Sequence, residues 1–193
     1  MSAALTELAR RTSDHETKLR CLHELGGWFE ERGEHATAVE RYRELLEHHP
    51  LLARLRPEQI RLFAEAGELE SFDRGEVIVT DGSMGDALYL LLSGSVTVTK
   101  RERILANLDA GEFFGEMCLV EPAARSANVI AAEPAYLFRL PTVALQNLLR
   151  SEPDAFNVVL VTLVRVLSER LRRTNTMLAS VGQLADWLAG SLV

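Results

Sequence analysis

Apolar residues recur at helical intervals over the first fifty positions. Leu19, Leu22, Leu25 and Phe29 step by three and four, which places them on one face of a helix from about Asp14 to about Arg32. Ser13 followed three residues later by Glu16 has the form of a capping box, whose hydroxyl and carboxylate satisfy backbone donors at a helix start, and Gly33 ends the helix. A second helix, from about His35 to about His48, turns Ala38, Tyr42, Leu45 and Leu46 inward, and Pro50 stops it because proline has no backbone N–H to continue the ladder. A shorter helical piece follows, with Pro57 in its first turn and Leu55, Ile60 and Phe63 apolar. The period then changes from 3.6 to two. Val96 and Val98, then Ile104, Ala106 and Leu108, then Tyr136, Phe138 and Leu140, read as same-face sets in short strands, with glycine turns at Gly75, Gly82, Gly85, Gly94 and Gly111. Many short strands of this kind predict a small barrel or jelly roll. From Pro153 the helical period returns and holds to the end of the chain. The fold class is therefore α+β: a helical hairpin over 1–50, a β-roll over 51–152 and a long C-terminal helix over 153–193.

Two of these elements lack an obvious cover. In the hairpin, Leu22, Leu25, Gly26, Phe29, Ala38, Tyr42 and Pro50 fall at a spacing that resembles a single tetratricopeptide repeat over residues 17 to 50, an ordinary hairpin being the alternative. Gly26 and Ala38 permit close helix approach, and Phe29 and Tyr42 fill the groove. One such unit cannot bury its outer apolar face alone, so the hairpin must pack on the next domain or on a protein partner. In the terminal helix, Leu160, Val164, Leu167, Leu171, Thr174, Leu178, Val181, Ala185, Leu188 and Leu192 alternate steps of four and three. That heptad seam predicts a coiled-coil homodimer, the alternative being a helix laid along its own barrel.

Composition removes several functions. The formal net charge of -7 argues against a direct nucleic-acid partner, because phosphate backbones are bound by clustered Lys and Arg. Cys21 and Cys118 lie far apart, at no metal-ligand spacing, and fit a reducing compartment. No secretory leader and no apolar run of membrane-spanning length occurs, so a soluble, cytoplasmic protein without membrane association is expected. His15, His23, His35, His48 and His49 have no carboxylate or cysteine partners at ligand spacing, which suggests solvated or capping roles, and Glu30 with Glu31 reads as a solvated helix face. Neither a nucleophile–base pair nor a Walker loop is visible, so no catalytic residue, metal or cofactor is expected.

The chemistry concentrates in "GEFFGEMCLVEPAARSANV", residues 111 to 129. Glu116 and Arg125 lie inside an apolar run, separated by small residues and a turn. They form either a buried ion pair, which is poor value for stability because both ions lose their hydration, or two halves of a site for a ligand with hydroxyls and a phosphate.

With its glycine-punctuated roll, the "FGEMCL" segment followed by Arg-Ser-Ala, and the long terminal helix, the region from 51 to about 178 resembles the cyclic nucleotide-binding domain shared by the catabolite activator protein and the protein kinase A regulatory subunits. The most specific part is the phosphate-binding cassette. The resemblance implies that Arg125 pairs with the exocyclic oxygens of a cyclic phosphate, that Glu116 accepts a hydrogen bond from the ribose 2′-hydroxyl, and that Phe114, Gly115 and Met117, with Ser126 and the backbone of Ala127, complete the cradle. Ala124 replaces a frequent proline, and Met117-Cys118 replaces a commoner Leu-Ala or Leu-Gly. In "RLRRTNTML", Thr174 and Asn175 occupy the place of a Thr-Ser pair that touches adenine in the catabolite activator protein.

The expected function is a cytoplasmic receptor for a cyclic mononucleotide, cyclic AMP in the first instance, that dimerises through its last helix and offers the hairpin to a protein partner. The sequence ends at Val193, so no DNA-binding winged helix is expected after that helix. A ligand-free scaffold on a degenerate receptor fold and a cyclic dinucleotide sensor are the competing readings.

Overall fold

A computed structural model describes residues 15–31, 35–119 and 123–190 together with residue 7, and side chains of the last helix as far as Val181. Helices α1 (His15–Glu31) and α2 (His35–Leu46) form the N-terminal hairpin, and α3 (Pro57–Ala66) leads into the roll. The expected capping box at Ser13, the stop at Gly33 and the side chain of Leu19 lie outside the described residues. Eight strands follow: β1 (Glu68–Phe72), β2 (Val77–Val79), β3 (Ala87–Ser93), β4 (Ser95–Lys100), β5 (Arg103–Asp109), β6 (Phe113–Phe114), β7 (Asn128–Ala131) and β8 (Ala135–Pro141). Helix α4 (Thr142–Ser151) and the long α5 (Pro153–Gly190) complete the chain.

The strands make two four-stranded antiparallel sheets, ordered β1-β8-β3-β6 and β2-β7-β4-β5. One apolar cluster lies between them, with Ala87, Tyr89, Leu91 and Leu137 from the first sheet and Val96, Leu108 and Val129 from the second. The other face of the first sheet, through Leu88, Leu90, Leu92, Phe138 and Leu140, joins a second cluster with the helices. Strand β3 is thus covered on both faces, which is why "ALYLLL" is a continuous apolar run without polar alternation.

The hairpin's apolar face is spent on the roll. Cys21, Leu22, Leu25 and Phe29 of α1 and Ala38, Tyr42, Leu45 and Leu46 of α2 all belong to the helix-side cluster. Tyr42 meets the edge of Phe138 with ring centroids 5.8 Å apart, and His23 meets Tyr136 at 5.5 Å. Gly26 lies directly against Tyr42 of α2: a Cβ there would sit 2.7 Å from Tyr42 Cε1. Because that ring is wedged against Phe138, Gly26→Ala should lower stability by about 1–2 kcal/mol despite alanine's better helix propensity. A urea midpoint equal to wild type would remove the close-packing argument.

Past α2 the chain reaches His49, which is buried and bonds a backbone N–H in the manner of a cap, the second of the two roles expected for the histidines, while His48 is exposed. His49 Nδ1 accepts from the Leu51 N–H at 3.2 Å, so Nε2 carries the hydrogen and donates it to the Glu112 carbonyl, also at 3.2 Å. Burial pushes its pKa down from 6.5 to about 4, against a smaller upward pull from that hydrogen bond. The native state therefore keeps His49 neutral where the unfolded chain is protonated. Stability is full above pH 6.5 and falls as pH drops toward 4, by about 3 kcal/mol from this group. Unfolding curves between pH 4 and 7 should show a shallower acid loss in His49→Gln than in wild type, and equal slopes would reject the assignment.

One expectation needs correction. Ile104, Ala106 and Leu108 do not share a buried face: Leu108 is buried, while Ile104 and Ala106 are exposed. The register steps from Val98↔Ala106 to Thr99↔Ile104, a bulge at Leu105 that takes Ile104 out of phase, while Ala106 keeps the phase of Leu108 and is exposed on this edge strand. In the terminal helix, the alternative of a seam packed along its own barrel is not what the chain adopts. Ala155 and Val159 are buried, but the seam residues Leu160, Val164, Leu167, Leu171, Leu178 and Val181 are exposed, Leu171 by 62%. The side chains of Ala185, Leu188 and Leu192 lie outside the described residues. Among the described residues no helix is long and apolar enough to cross a membrane.

Candidate functional site

Strand β6 pairs with β3 through Tyr89↔Phe114 and Leu90↔Phe113, and that pairing aims the following segment back across the roll. The chain turns at Gly115 with a φ of 85° and enters a short 3₁₀ helix, Glu116–Leu119. Any side chain at Gly115 would run into the Arg125 guanidinium and stand 2.7 Å from the Ala87 carbonyl. Glycine is needed here for both the positive φ and the room.

The opposite wall is held by backbone pairing. The Arg125 N–H donates to the Ser83 carbonyl at 2.7 Å, and the Gly82 N–H donates to the Arg125 carbonyl at 2.9 Å. The Asp81 N–H is taken by Asn128 Oδ1 at 2.8 Å, and Lys100 Nζ donates to the Ser126 carbonyl at 2.7 Å. Cys118, in the place of a commoner alanine or glycine, is buried, its Sγ donating to the Gly115 carbonyl at 2.9 Å and lying 3.1 Å from Thr142 Oγ1.

Arg125 is pulled in from the surface, with a side chain only 8% exposed. It donates to the Ala87 carbonyl at 2.8 Å, lies 5.8 Å from the Tyr89 ring centre and stands 3.6 Å from Asp86. Asp86 is itself 60% exposed and makes a closer pair, 2.6 Å, with Arg139. The buried guanidinium is therefore incompletely neutralised by its one anionic partner among the described residues. Tyr89 stacks on Phe114 at 5.0 Å, closing the apolar floor below it, and burial pushes the Tyr89 phenol up.

Glu116 is paired elsewhere. Its Oε1 lies 3.9 Å from Arg170 Nη1, on α5. Among the described residues, Glu116 and Arg125 make no ion pair with each other, so the closed-pair alternative is not what the chain adopts. Arg170 also donates to the Phe113 carbonyl at 2.7 Å, lies over the Phe113 ring at 5.0 Å and stands 3.5 Å from Glu112. Its Nε is buried with no hydrogen-bond partner among the described residues.

A cavity of 430 Å³ opens between the roll, the cassette and α5, within the usual range for a small-ligand site. Phe114, Gly115, Glu116, Met117, Arg125, Ser126, Ala127 and Thr174 all line it, eight of the nine residues singled out from sequence. Asn175 is exposed and does not line it, because the next residue along a helix points about 100° away. Arg170, which sequence reasoning missed, does line it, and the available signal was its place one helical turn before Thr174. The remaining lining includes Val79, Val98, Leu108 and Met177, apolar surface suited to sugar and ring faces. The cavity is thus lined by a buried cation, a carboxylate paired to the terminal helix and an apolar wall.

Comparison with known proteins bears on what such a cavity holds. Residues 69–152 match the cyclic nucleotide-binding domain family. The chain is 36% identical over 108 residues to the cAMP-dependent protein kinase regulatory subunit of Hypocrea atroviridis, spanning 56% of this chain and 23% of that protein. It is 34% identical over 131 residues to the cyclic AMP receptor protein of Thermus thermophilus, spanning 65% and 59%. The solved structure of a cyclic nucleotide-binding domain from Methylobacillus flagellatus superposes with a TM-score of 0.60 at 30% identity, covering 71% of this chain and 80% of that one.

Proposed function

Because the chain belongs to the cyclic nucleotide-binding domain family, we propose that it is a non-enzymatic cytoplasmic receptor for a cyclic mononucleotide, with cyclic AMP as the preferred ligand. The observation that carries the reading is Arg125: a buried, incompletely neutralised guanidinium lining a cavity of 430 Å³. An anion supplied by the ligand meets that charge at lower cost than a wholly protein-based pair. The cyclic phosphate takes Arg125 and the N–H groups of the Ser126 to Ala127 turn. The ribose 2′-hydroxyl donates to Glu116.

The base extends toward α5. Thr174 Oγ1 already donates its hydrogen to the Arg170 carbonyl at 3.0 Å, so only its lone pairs are left for a ligand. An acceptor at that point suits an exocyclic amine and not a carbonyl, which favours the 6-amino edge of adenine over the 6-oxo edge of guanine. Displacement of a fluorescent cyclic AMP analogue by cyclic AMP, cyclic GMP and a cyclic dinucleotide tests the ligand class. The expected order is cyclic AMP, then cyclic GMP, with the dinucleotide weakest; a dinucleotide ranking first would replace this reading.

Ligand capture should act through α5. Arg170, Arg173, Thr174 and Met177 of that helix line the same cavity as the cassette, so a nucleotide touching both favours the arrangement in which they are close. Exchange of α5 amides should slow when nucleotide is added, and unchanged rates would argue against coupling. The exposed heptad seam on that helix fits a second copy of the chain as its partner, giving a homodimer. The surface of the hairpin not spent on the roll, in a segment resembling one tetratricopeptide repeat, is offered to a protein partner. The net charge of -7 disfavours direct nucleic-acid contact, and two buried free cysteines suit the reducing cytoplasm.

A further inference from the structure

Among the described residues the hairpin contributes none to the cavity lining, yet its end touches the structure that holds the cavity's charges. The contact is at Glu112, in the turn between β5 and β6. Its carbonyl accepts from the Leu91 N–H at 2.9 Å and from His49 Nε2 at 3.2 Å. Its carboxylate faces the cavity side: Oε2 accepts from the Asp109 N–H at 3.0 Å, and Oε1 lies 3.5 Å from Arg170 Nη2. Arg170 then stands 3.9 Å from Glu116. Next to His49, Pro50 packs on the same turn, its Cγ at van der Waals distance from where a Gly111 Cβ would be, 3.4 Å.

We propose that His49 is a positioning residue for the nucleotide pocket, acting through Glu112 and Arg170 on the carboxylate of Glu116. Arg170 is shared between two carboxylates, so where the turn sets Glu112 decides how much of the guanidinium Glu116 receives. That in turn decides which Glu116 oxygen is free for the ribose hydroxyl. His49 pins the back of the turn from the hairpin side, with its ring tautomer set by the Leu51 N–H. A partner that moves the hairpin end would thereby alter nucleotide affinity, and nucleotide would alter the hairpin end in return, as linkage requires. This rests on the reading of the cavity as a nucleotide site.

The test uses the full chain with His49→Gln and His49→Asn. A glutamine amide nitrogen reaches the position of Nε2 and can still donate to the Glu112 carbonyl, whereas asparagine ends at the position of Nδ1 and keeps only the local bond. Urea unfolding confirms that each variant is folded before titration with cyclic AMP. The asparagine variant should bind about five-fold more weakly than wild type and the glutamine variant within about two-fold. Equal affinity of the asparagine variant and wild type overturns the proposal. If wild type itself gives no binding, the nucleotide reading fails, and the linkage is decided in the free protein by exchange of the Leu51 and Leu52 amides. Faster exchange in Arg170→Ala than in wild type then supports the connection, and equal exchange rejects it.

Discussion

Replacing Arg125 with alanine is expected to weaken cyclic AMP binding by at least about 100-fold, which corresponds to roughly 3 kcal/mol. The figure follows from two charge-assisted hydrogen bonds to phosphate made in a site where the guanidinium is 8% exposed and water competes poorly. Arg125→Lys should recover only part of the loss. A lysine ammonium is a point charge that cannot donate in parallel to two phosphate oxygens while also meeting the Ala87 carbonyl, as the arginine does. Neither change should unfold the roll, because the segment around residue 125 is held by main-chain bonds to Ser83 and Gly82. Calorimetric titration with unfolding curves on the same samples separates the two effects. An alanine variant that binds like wild type would mean that the phosphate sits elsewhere.

Glutamate at both Leu167 and Leu171 should convert a dimer into a monomer across the micromolar range. These two residues are 39% and 62% exposed in the single chain, and a partner helix would bury both. Fully burying a leucine is worth about 1.5–3 kcal/mol, and because the exposed parts of these two side chains amount to about one leucine per chain, the loss over two chains is roughly 3–6 kcal/mol before the cost of burying four carboxylates. Sedimentation equilibrium reads it directly. A wild-type chain that sediments as a monomer, with or without nucleotide, would leave the seam to some other partner.

The apolar periodicity made the hairpin and the short helix before the roll legible, because each buries residues at the spacing its own geometry requires, and it marked the long terminal helix by a seam that the single chain leaves exposed. The candidate site was legible for a different reason: Glu116 and Arg125 are residue types that an ordinary core rejects, so their grouping in one apolar run asks for a ligand, and the resemblance of the cassette supplied the neighbouring residues. What stayed hidden depends on contacts between distant segments. Arg170 looks like any charge on an exposed helix until the fold sets it beside Glu112 and Glu116, 58 and 54 residues earlier in the sequence. Asp86 went unremarked in the sequence, and only the fold brings it to both Arg125 and Arg139. The bulge at Leu105 has no glycine to announce it, and it takes Ile104 out of phase with Ala106 and Leu108, which line the cavity. His49 resembled its exposed neighbour His48, and only the docking of the hairpin on the Glu112 turn distinguishes them.

The central claim is that the buried Arg125 cation exists to receive the phosphate of a small cyclic nucleotide. Isothermal titration of the wild-type chain with cyclic AMP tests it most directly. One saturable event with a stoichiometry of one nucleotide per chain is the predicted result, and absence of heat from cyclic AMP and cyclic GMP alike, on protein shown to be folded, would contradict it.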